Sequence, residues 1–171
     1  VSIGKNTLYD VIVQTESIYL FFSLTKYEPS VVKESSGDKK YYCIDNGLRS
    51  VLLNPLSEDN GKLLENAVYL HLRRNLQIQE GLHYYKGKKE CDFVITNHEE
   101  VNQLIQVTYN DEDTRQREID GLLEAAQTTG CRELFILTLE EEEEINVSEY
   151  TIHVLPVWKW MLKTLYLSPK Q

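Results

Sequence analysis

Cysteine is scarce in this sequence. Its three residues, Cys43, Cys91 and Cys131, are odd in number and far apart in a chain of 171 residues, which suggests neither a disulfide framework nor a thiolate metal site. That usage predicts a reducing, cytoplasmic location. Long apolar runs are missing too: none approaches a membrane span and no signal-peptide pattern opens the chain, so no membrane partner is expected. The third shortage is of positive charge. Lys and Arg number 18 against 27 Asp and Glu, a formal net charge of −9, which disfavours an affinity resting on a broad basic surface, because nucleic-acid binders neutralise phosphates with clustered Lys and Arg. Local sign can still differ from net charge. Five of the acids stand together in "LEEEEEI", Glu140 to Glu144, a run that reads as a solvated loop.

What is present is a globular composition. Apolar residues make up 42% of the chain, enough for one sizeable core, or for one domain with a small appendage. The chain opens on Val1 and runs at once into a helix-like pattern, "NTLYDVIVQTES", which predicts a segment of a longer protein.

Residues 1–55 read as a first unit. A short helix around Leu8 to Glu16 is followed by a strand-like "IYLFFSLTKY", a polar loop "ESSGDKK" and a second strand "YYCI", together a hairpin. In "DNGLRSVLL", Asp45 or Asn46 is placed to cap a helical turn. Helix, hairpin and short helix make the tail of a winged helix; an arbitrary α+β extension is the plainer alternative. "NPLSEDNGK" is rich in turn formers and reads as a linker.

Residues 61–171 read as the second unit. Leu64, Ala67, Val68, His71 and Leu72 recur at the spacing of one helix face. Three strand candidates follow, "LHYYK", "ECDFVI" and "QLIQVTY". Next comes a helix, "DTRQREIDGLLEAAQTTG", with Asp113 available as its cap and Gly130 as its stop. A buried strand "LFILTL", a short strand "YTIHVLP" and an amphipathic helix "VWKWMLKTLY" complete the unit. This order predicts an α/β fold, a sheet with helices on its faces.

Polar residues stand where strand interiors normally carry apolar ones. Alternation puts Cys91, Phe93 and Ile95 on one face and Asp92 with Val94 on the other, and groups Leu104, Gln106 and Thr108. If the strands pair in register, Asp92 and Gln106 meet. Glu65 sits at the edge of the helix's apolar stripe, three and seven residues before Val68 and Leu72. Oxygen donors of this kind, Glu65, Asp92 and Gln106, suit a hard cation such as Mg²⁺, which can activate water and stabilise charge on a phosphodiester. The plainer reading is that Asp92 and Gln106 are hydrogen-bonded strand-end polar groups and Glu65 is solvated.

The run "GKLLENAVYLHLRR … YYKGKKECDFVI … LIQVTYN … TRQREIDGLLEAA" resembles the carboxy-terminal, restriction-endonuclease-like domain of a large prokaryotic group of AAA-family ATPases. "KKYYCIDNGLRSVL" is similar to the wing and helix that link the ATPase module to that domain. The resemblance implies a helix, three strands, a helix and a strand as the core, preceded by the end of a winged helix. It also implies the ATPase module as a partner, with ATP bound outside this chain. In nucleases of the P-D-(D/E)-X-K type a helix Glu, a strand Asp and an acid two residues before a Lys form the active site. Carried over, Glu65 matches the helix Glu, Asp92 the metal-binding Asp and Gln106 the second acid; Thr108 stands where the Lys belongs. Thr carries no charge to orient water or offset a transition state, and Gln removes a negative charge from a metal site. Lys86, Lys88 and Lys89, in the loop before Asp92, are the candidate replacements, although a solvated loop explains them as well. The expectation is a catalytically impaired nuclease fold that binds DNA or a protein and couples it to the ATPase; the alternative is an active divalent-metal DNA endonuclease.

The histidines, the helix-opening arginines and the tryptophans carry weaker signals. His71, His83, His98 and His153 lack metal-ligand spacing. Arg115, Arg117 and Glu118 open a helix and belong either to the Asp92 cleft or to solvent. Trp158, Trp160 and Met161 read as helix packing, and "NGK" at Asn60 to Lys62 lacks the rest of a phosphate loop.

Overall fold

The computed structural model describes residues 4–28, 38–52, 60–109 and 112–167. Its first part is a helix, α1 (Lys5–Ser17), an antiparallel pair, β1 (Phe21–Thr25) and β2 (Lys39–Cys43), and a short helix, α2 (Asn46–Leu52). Asp45 accepts the Leu48 amide at 2.8 Å, the capping bond that starts α2. The tip of the hairpin and most of the expected linker lie outside the described residues.

From there the chain runs α3 (Asn60–Asn75), β3 (Glu80–Lys86), β4 (Glu90–Asn97), β5 (Glu100–Val107), α4 (Glu112–Thr129), β6 (Leu134–Thr138), β7 (Glu143–Val147), β8 (Tyr150–Pro156) and α5 (Val157–Leu167). The helix expected to be capped by Asp113 already includes that residue. Gly130, at φ 76°, donates its amide back to the Ala126 carbonyl at 2.8 Å and ends α4 in the left-handed turn glycine favours.

Six strands form one mixed sheet in the order β3-β4-β5-β6-β8-β7. The three-strand meander β3-β4-β5 is antiparallel, β5-β6 and β6-β8 are parallel, and β7 pairs antiparallel with β8. The edge strand β7 is not among the strands that the sequence pattern predicts: it takes in Glu143 and Glu144, the end of the acidic run expected to be a loop. Those glutamates are largely paired, Glu141 and Glu143 with Arg115, Glu142 with Lys159 and Glu144 with His153. Charge along an exposed edge also discourages a further strand from pairing there.

Two apolar clusters sandwich the sheet. On one face Val68, Tyr69 and Leu72 of α3 and Trp160 of α5 pack on Phe93, Ile95, Ile105 and Val107. On the other, Ile119, Leu122, Ala125 and Ala126 of α4 cover Cys91, Val94, Leu104 and Ile136. The first cluster also contains Phe22, Leu24 and Tyr42 of the hairpin. Tyr42 stacks on Tyr69 with ring centres 4.0 Å apart, and the Tyr27 amide bonds the Tyr84 carbonyl at 2.7 Å. The β1-β2 hairpin is thus seated on α3 and the edge of β3. No helix among the described residues is long and apolar enough to cross a membrane.

Candidate functional site

The polar residues of the strand interiors gather at one end of β4 and β5. His83 pairs with Val94 and Tyr85 with Cys91, so two residues of β4, Asp92 and Phe93, stand against the single Tyr84. A bulge of this kind bends a strand and re-aims its side chains. It corrects the simple alternation: Cys91 packs on the α4 side with Val94, while Phe93 and Ile95 face α3.

The β4-β5 register runs through Phe93↔Ile105, which sets Asp92 and Gln106 at the fork beyond it. There each side chain serves the other strand's backbone. The Asp92 amide donates to Gln106 Oε1 at 3.0 Å, and the Val107 amide donates to Asp92 Oδ2 at 3.0 Å. Gln106 Nε2 donates to Glu118 on α4, whose other oxygen accepts from Arg117 at 2.8 Å. Both ends of the Gln106 carboxamide are therefore engaged.

The other oxygen of Asp92 turns the other way, toward a residue that no sequence motif marks. Lys40, on β2, places its ammonium 3.0 Å from Asp92 Oδ1, 3.3 Å from Glu65 Oε1 and 2.7 Å from Glu90 Oε1. An ammonium has three N–H donors, and here three carboxylates surround it. Tyr42, two residues on and so on the same face of β2, donates its hydroxyl to Glu65 Oε1 at 2.7 Å. Glu65 is half-buried and held by two donors rather than solvated.

The hairpin that delivers Lys40 is fastened by another unforeseen residue. Asn66, buried on α3, accepts the Cys43 amide and donates to the Cys43 carbonyl, each at 2.9 Å, as a neighbouring strand would. It also donates to Asn46 at 2.9 Å. The signal for Lys40 was present in "KKYYC", where Lys40 and Tyr42 alternate. Only tertiary packing reveals that this face meets Glu65 and Asp92, which lie 25 and 52 residues away.

Burial and the nearby Glu65 carboxylate push Asp92 up, to about 7, against the opposing pull of Lys40 and the Val107 amide. Burial acts to lower Lys40, but Asp92, Glu65 and Glu90 outweigh it and hold the ammonium above the ordinary lysine value. Burial, then Glu65, raises the Tyr42 hydroxyl, which stays a protonated donor. Burial likewise raises the Cys91 thiol, so it is no nucleophile at neutral pH.

Glu65, Glu90, Asp92 and Gln106 line a cleft of about 510 Å³, together with Lys62, Lys86, Lys88 and Lys89; Lys40 and Tyr42 hold its acids without being among the lining residues. The structure brings Glu65, Asp92 and Gln106 into this one cleft. Thr108 lies one residue past β5, its amide bonded to the Leu137 carbonyl at 2.9 Å, and is not among the lining residues described. Of the lysines expected in the loop, Lys86 ends β3 and pairs with Asp38 at 3.8 Å, and Lys89 pairs with Asp120 at 3.7 Å, rather than with Asp92. Arg117 and Glu118 belong to the cleft, whereas Arg115 bonds Glu141 at 3.1 Å.

A divalent cation here would compete with Lys40 for the same acids. Mg²⁺ needs carboxylate or amide oxygens free to turn toward it. Here Lys40 takes an oxygen from each of Glu65, Glu90 and Asp92, and the Gln106 oxygen accepts a backbone amide. Among the described residues no group of three His, Cys, Asp or Glu side chains is arranged to hold a metal. The histidines are dispersed: His71 lies edge-on to Trp160, His83 bonds Thr25 and His153 pairs with Glu144. Trp160 is core and Trp158 is exposed.

Comparison with known proteins gives three results. The protein named "Uncharacterized protein MJ1544" of Methanocaldococcus jannaschii is 34% identical over 169 residues, covering 94% of this chain; the chain spans 37% of that protein's length. A chain of the Thermococcus gammatolerans assembly of McrB AAA+ hexamers with bound McrC superposes with a TM-score of 0.40 and 16% identity, over 56% of this chain and 27% of that one. That likeness is too slight to bear on function. The family model described as "Domain of unknown function (DUF4143)" matches residues 60–160, from the first turn of α3 into α5, including Glu65, Asp92 and Gln106. With more than half of its length so matched, the chain belongs to the DUF4143 family.

Proposed function

We propose that this chain is the carboxy-terminal, nuclease-fold part of an AAA-family ATPase, in which the cleft has become a binding and coupling site without nuclease activity. Residues 61–171 form a restriction-endonuclease-like core in this reading, and residues 1–55 the end of a winged helix joining it to the ATPase module. The sequence resemblance supports the placement, and the mixed sheet with helices on both faces is compatible with it. Fold alone would not decide activity. The observation that carries the reading is the state of the polar set. Gln106 stands at the second acidic position with both amide ends engaged, and the acids around it are turned onto Lys40. The partners are then the ATPase module and a DNA or protein ligand at the cleft mouth.

The same lysine supports a second reading, an active divalent-metal DNA endonuclease of the P-D-(D/E)-X-K type. A charge that Thr108 cannot supply is present beside Asp92, carried by Lys40 from the hairpin. One experiment separates the two. The purified chain is incubated with single- and double-stranded DNA and Mg²⁺, then Mn²⁺, beside Asp92→Asn and the double variant Gln106→Glu/Thr108→Lys. The silent reading expects no cleavage by the unmodified chain, with any latent activity appearing first in the double variant. Cleavage by the unmodified chain that Asp92→Asn abolishes would establish the second reading instead.

A further inference from the structure

Three acids of this cleft share one counter-ion. Glu65 comes from α3, Glu90 and Asp92 from β4, and Lys40 from a hairpin outside the span that the family model matches. The ammonium lies within 3.3 Å of an oxygen of all three acids, with its side chain only 22% exposed. The hairpin cannot easily withdraw it. Tyr42 stacks on Tyr69, Asn66 grips both backbone groups of Cys43, and the Tyr84 hydroxyl donates to the Asp38 carbonyl at 2.9 Å. Clustered carboxylates need positive charge, and either a bound ion or a lysine can provide it.

We infer that Lys40 is the resident counter-ion of the acids that line this cleft, taking the place a divalent ion would otherwise fill, so that the hairpin rather than the nuclease-like core sets the cleft's metal affinity. This deepens the silent-module reading and rests on it. Lys40 is a positioning residue here: it holds Glu65, Glu90 and Asp92 turned inward and satisfied. A divalent ion competes with it for the same oxygens. Removing the lysine charge while keeping the length of the side chain leaves three carboxylates without a counter-ion, and an ion supplied from solution gains what the lysine loses.

The test measures Mn²⁺ binding by the loss of the free-ion paramagnetic resonance signal, in the wild type, Lys40→Met, Lys40→Arg and Lys40→Met/Asp92→Asn. Lys40→Met should bind Mn²⁺ about tenfold tighter than the wild type, since affinity at such sites follows the charge left on the ligands. Lys40→Arg should stay as weak as the wild type, and adding Asp92→Asn should cancel the gain. Equal affinity in Lys40→Met and the wild type overturns the inference. A second measurement needs no variant, should Lys40→Met fail to fold. In the wild type, acylation by an amine-reactive ester should label Lys40 far more slowly than exposed Lys88, and millimolar Mn²⁺ should speed labelling of Lys40 alone. Labelling of Lys40 as fast as Lys88 without Mn²⁺ overturns it equally. Neither readout uses DNA cleavage, which bears on the silent-module reading alone.

Discussion

Gly121 lies on α4 where the helix backbone presses on the start of β4. A Cβ built there would sit 2.3 Å from the Glu90 carbonyl oxygen and 3.3 Å from its carbon. Ordinary non-bonded contacts fall at about 3.5 Å, so Gly121→Ala must open the helix-sheet gap by roughly 1 Å. The obstructing atom is backbone in a paired strand, not the tip of a flexible side chain. Two effects then compete. Alanine gains up to about 1 kcal/mol over glycine inside a helix. Overpacking a well-filled contact costs about 1 to 3 kcal/mol. Because the overlap is large and the strand is held by Tyr85↔Cys91 and Lys86↔Glu90 pairing, overpacking should win, for a net loss of about 1 to 2 kcal/mol. Gly61, near the start of α3, is the internal control: its nearest neighbour to a new Cβ is Tyr109 Cβ at 3.9 Å, an ordinary contact. There Gly→Ala should be stabilising, by about 0.4 to 1 kcal/mol. Urea midpoints for both variants decide the matter. Should Gly121→Ala prove as stable as the wild type, or both variants gain stability, the close approach of α4 to β4 is wrong, and with it the placement of Glu118 against Gln106.

Asn66→Ala strips both bonds to Cys43 and should cost roughly 2 to 4 kcal/mol, since each stranded buried group costs about 1 to 3; a midpoint within error of the wild type would refute the fastening. Val68→Ala, at a fully buried position, should cost about 1 to 3 kcal/mol through its cavity. Glu65→Ala, which an exposed side chain would tolerate freely, should now cost about 1 to 2 kcal/mol because Tyr42 and Lys40 lose an acceptor; a neutral result in the same urea series would return Glu65 to solvent. For pH, a carboxyl raised from 3.8 to about 7 keeps a proton in the folded chain that the unfolded chain has released. Its effect is to make stability fall as pH rises from about 4 to 7. Asp92→Asn should flatten that slope, and parallel pH profiles for variant and wild type would rule the shift out. Lys40 acts in another window: its raised value gives stability that is present through neutral pH and lost as pH climbs past 10.5.

Much of the architecture was legible because periodicity reports local burial. The helix face carrying Val68 and Leu72, the strands around Asp92 and Gln106, and the glycine stop at Gly130 follow from spacing and turn chemistry. The bulge at Asp92 and Phe93 was not legible, because alternation assumes one residue opposite one. β7 was hidden by its composition: glutamates at an exposed edge read as loop, since a strand there needs no apolar face. The helix stripe also omitted Tyr69, which lies between Val68 and Leu72 and is fully buried because the hairpin covers it from a third direction.

Sequence proximity misplaces the lysine for a physical reason. It favours Lys86, Lys88 and Lys89, which precede Asp92 by a few residues. Lys86 ends β3, and the loop after it bends toward α4, where the Lys88 and Lys89 amides bond Glu124 at 2.8 and 3.2 Å. A strand end stripped of its ladder leaves backbone amides that must find acceptors. Asp92 and Gln106 provide them across the fork, which answers why polar residues occupy those strand positions at all. Doing so spends one Asp92 oxygen and the Gln106 carbonyl on the backbone, leaving Asp92 a single outward oxygen in a pocket it shares with Glu65. Such a pair of acids at close range raises the cost of keeping both charged, which a neighbouring cation offsets. The element that packs over that pocket supplies one: it is β2, whose inward face carries Tyr42 for the core and Lys40 for the charge.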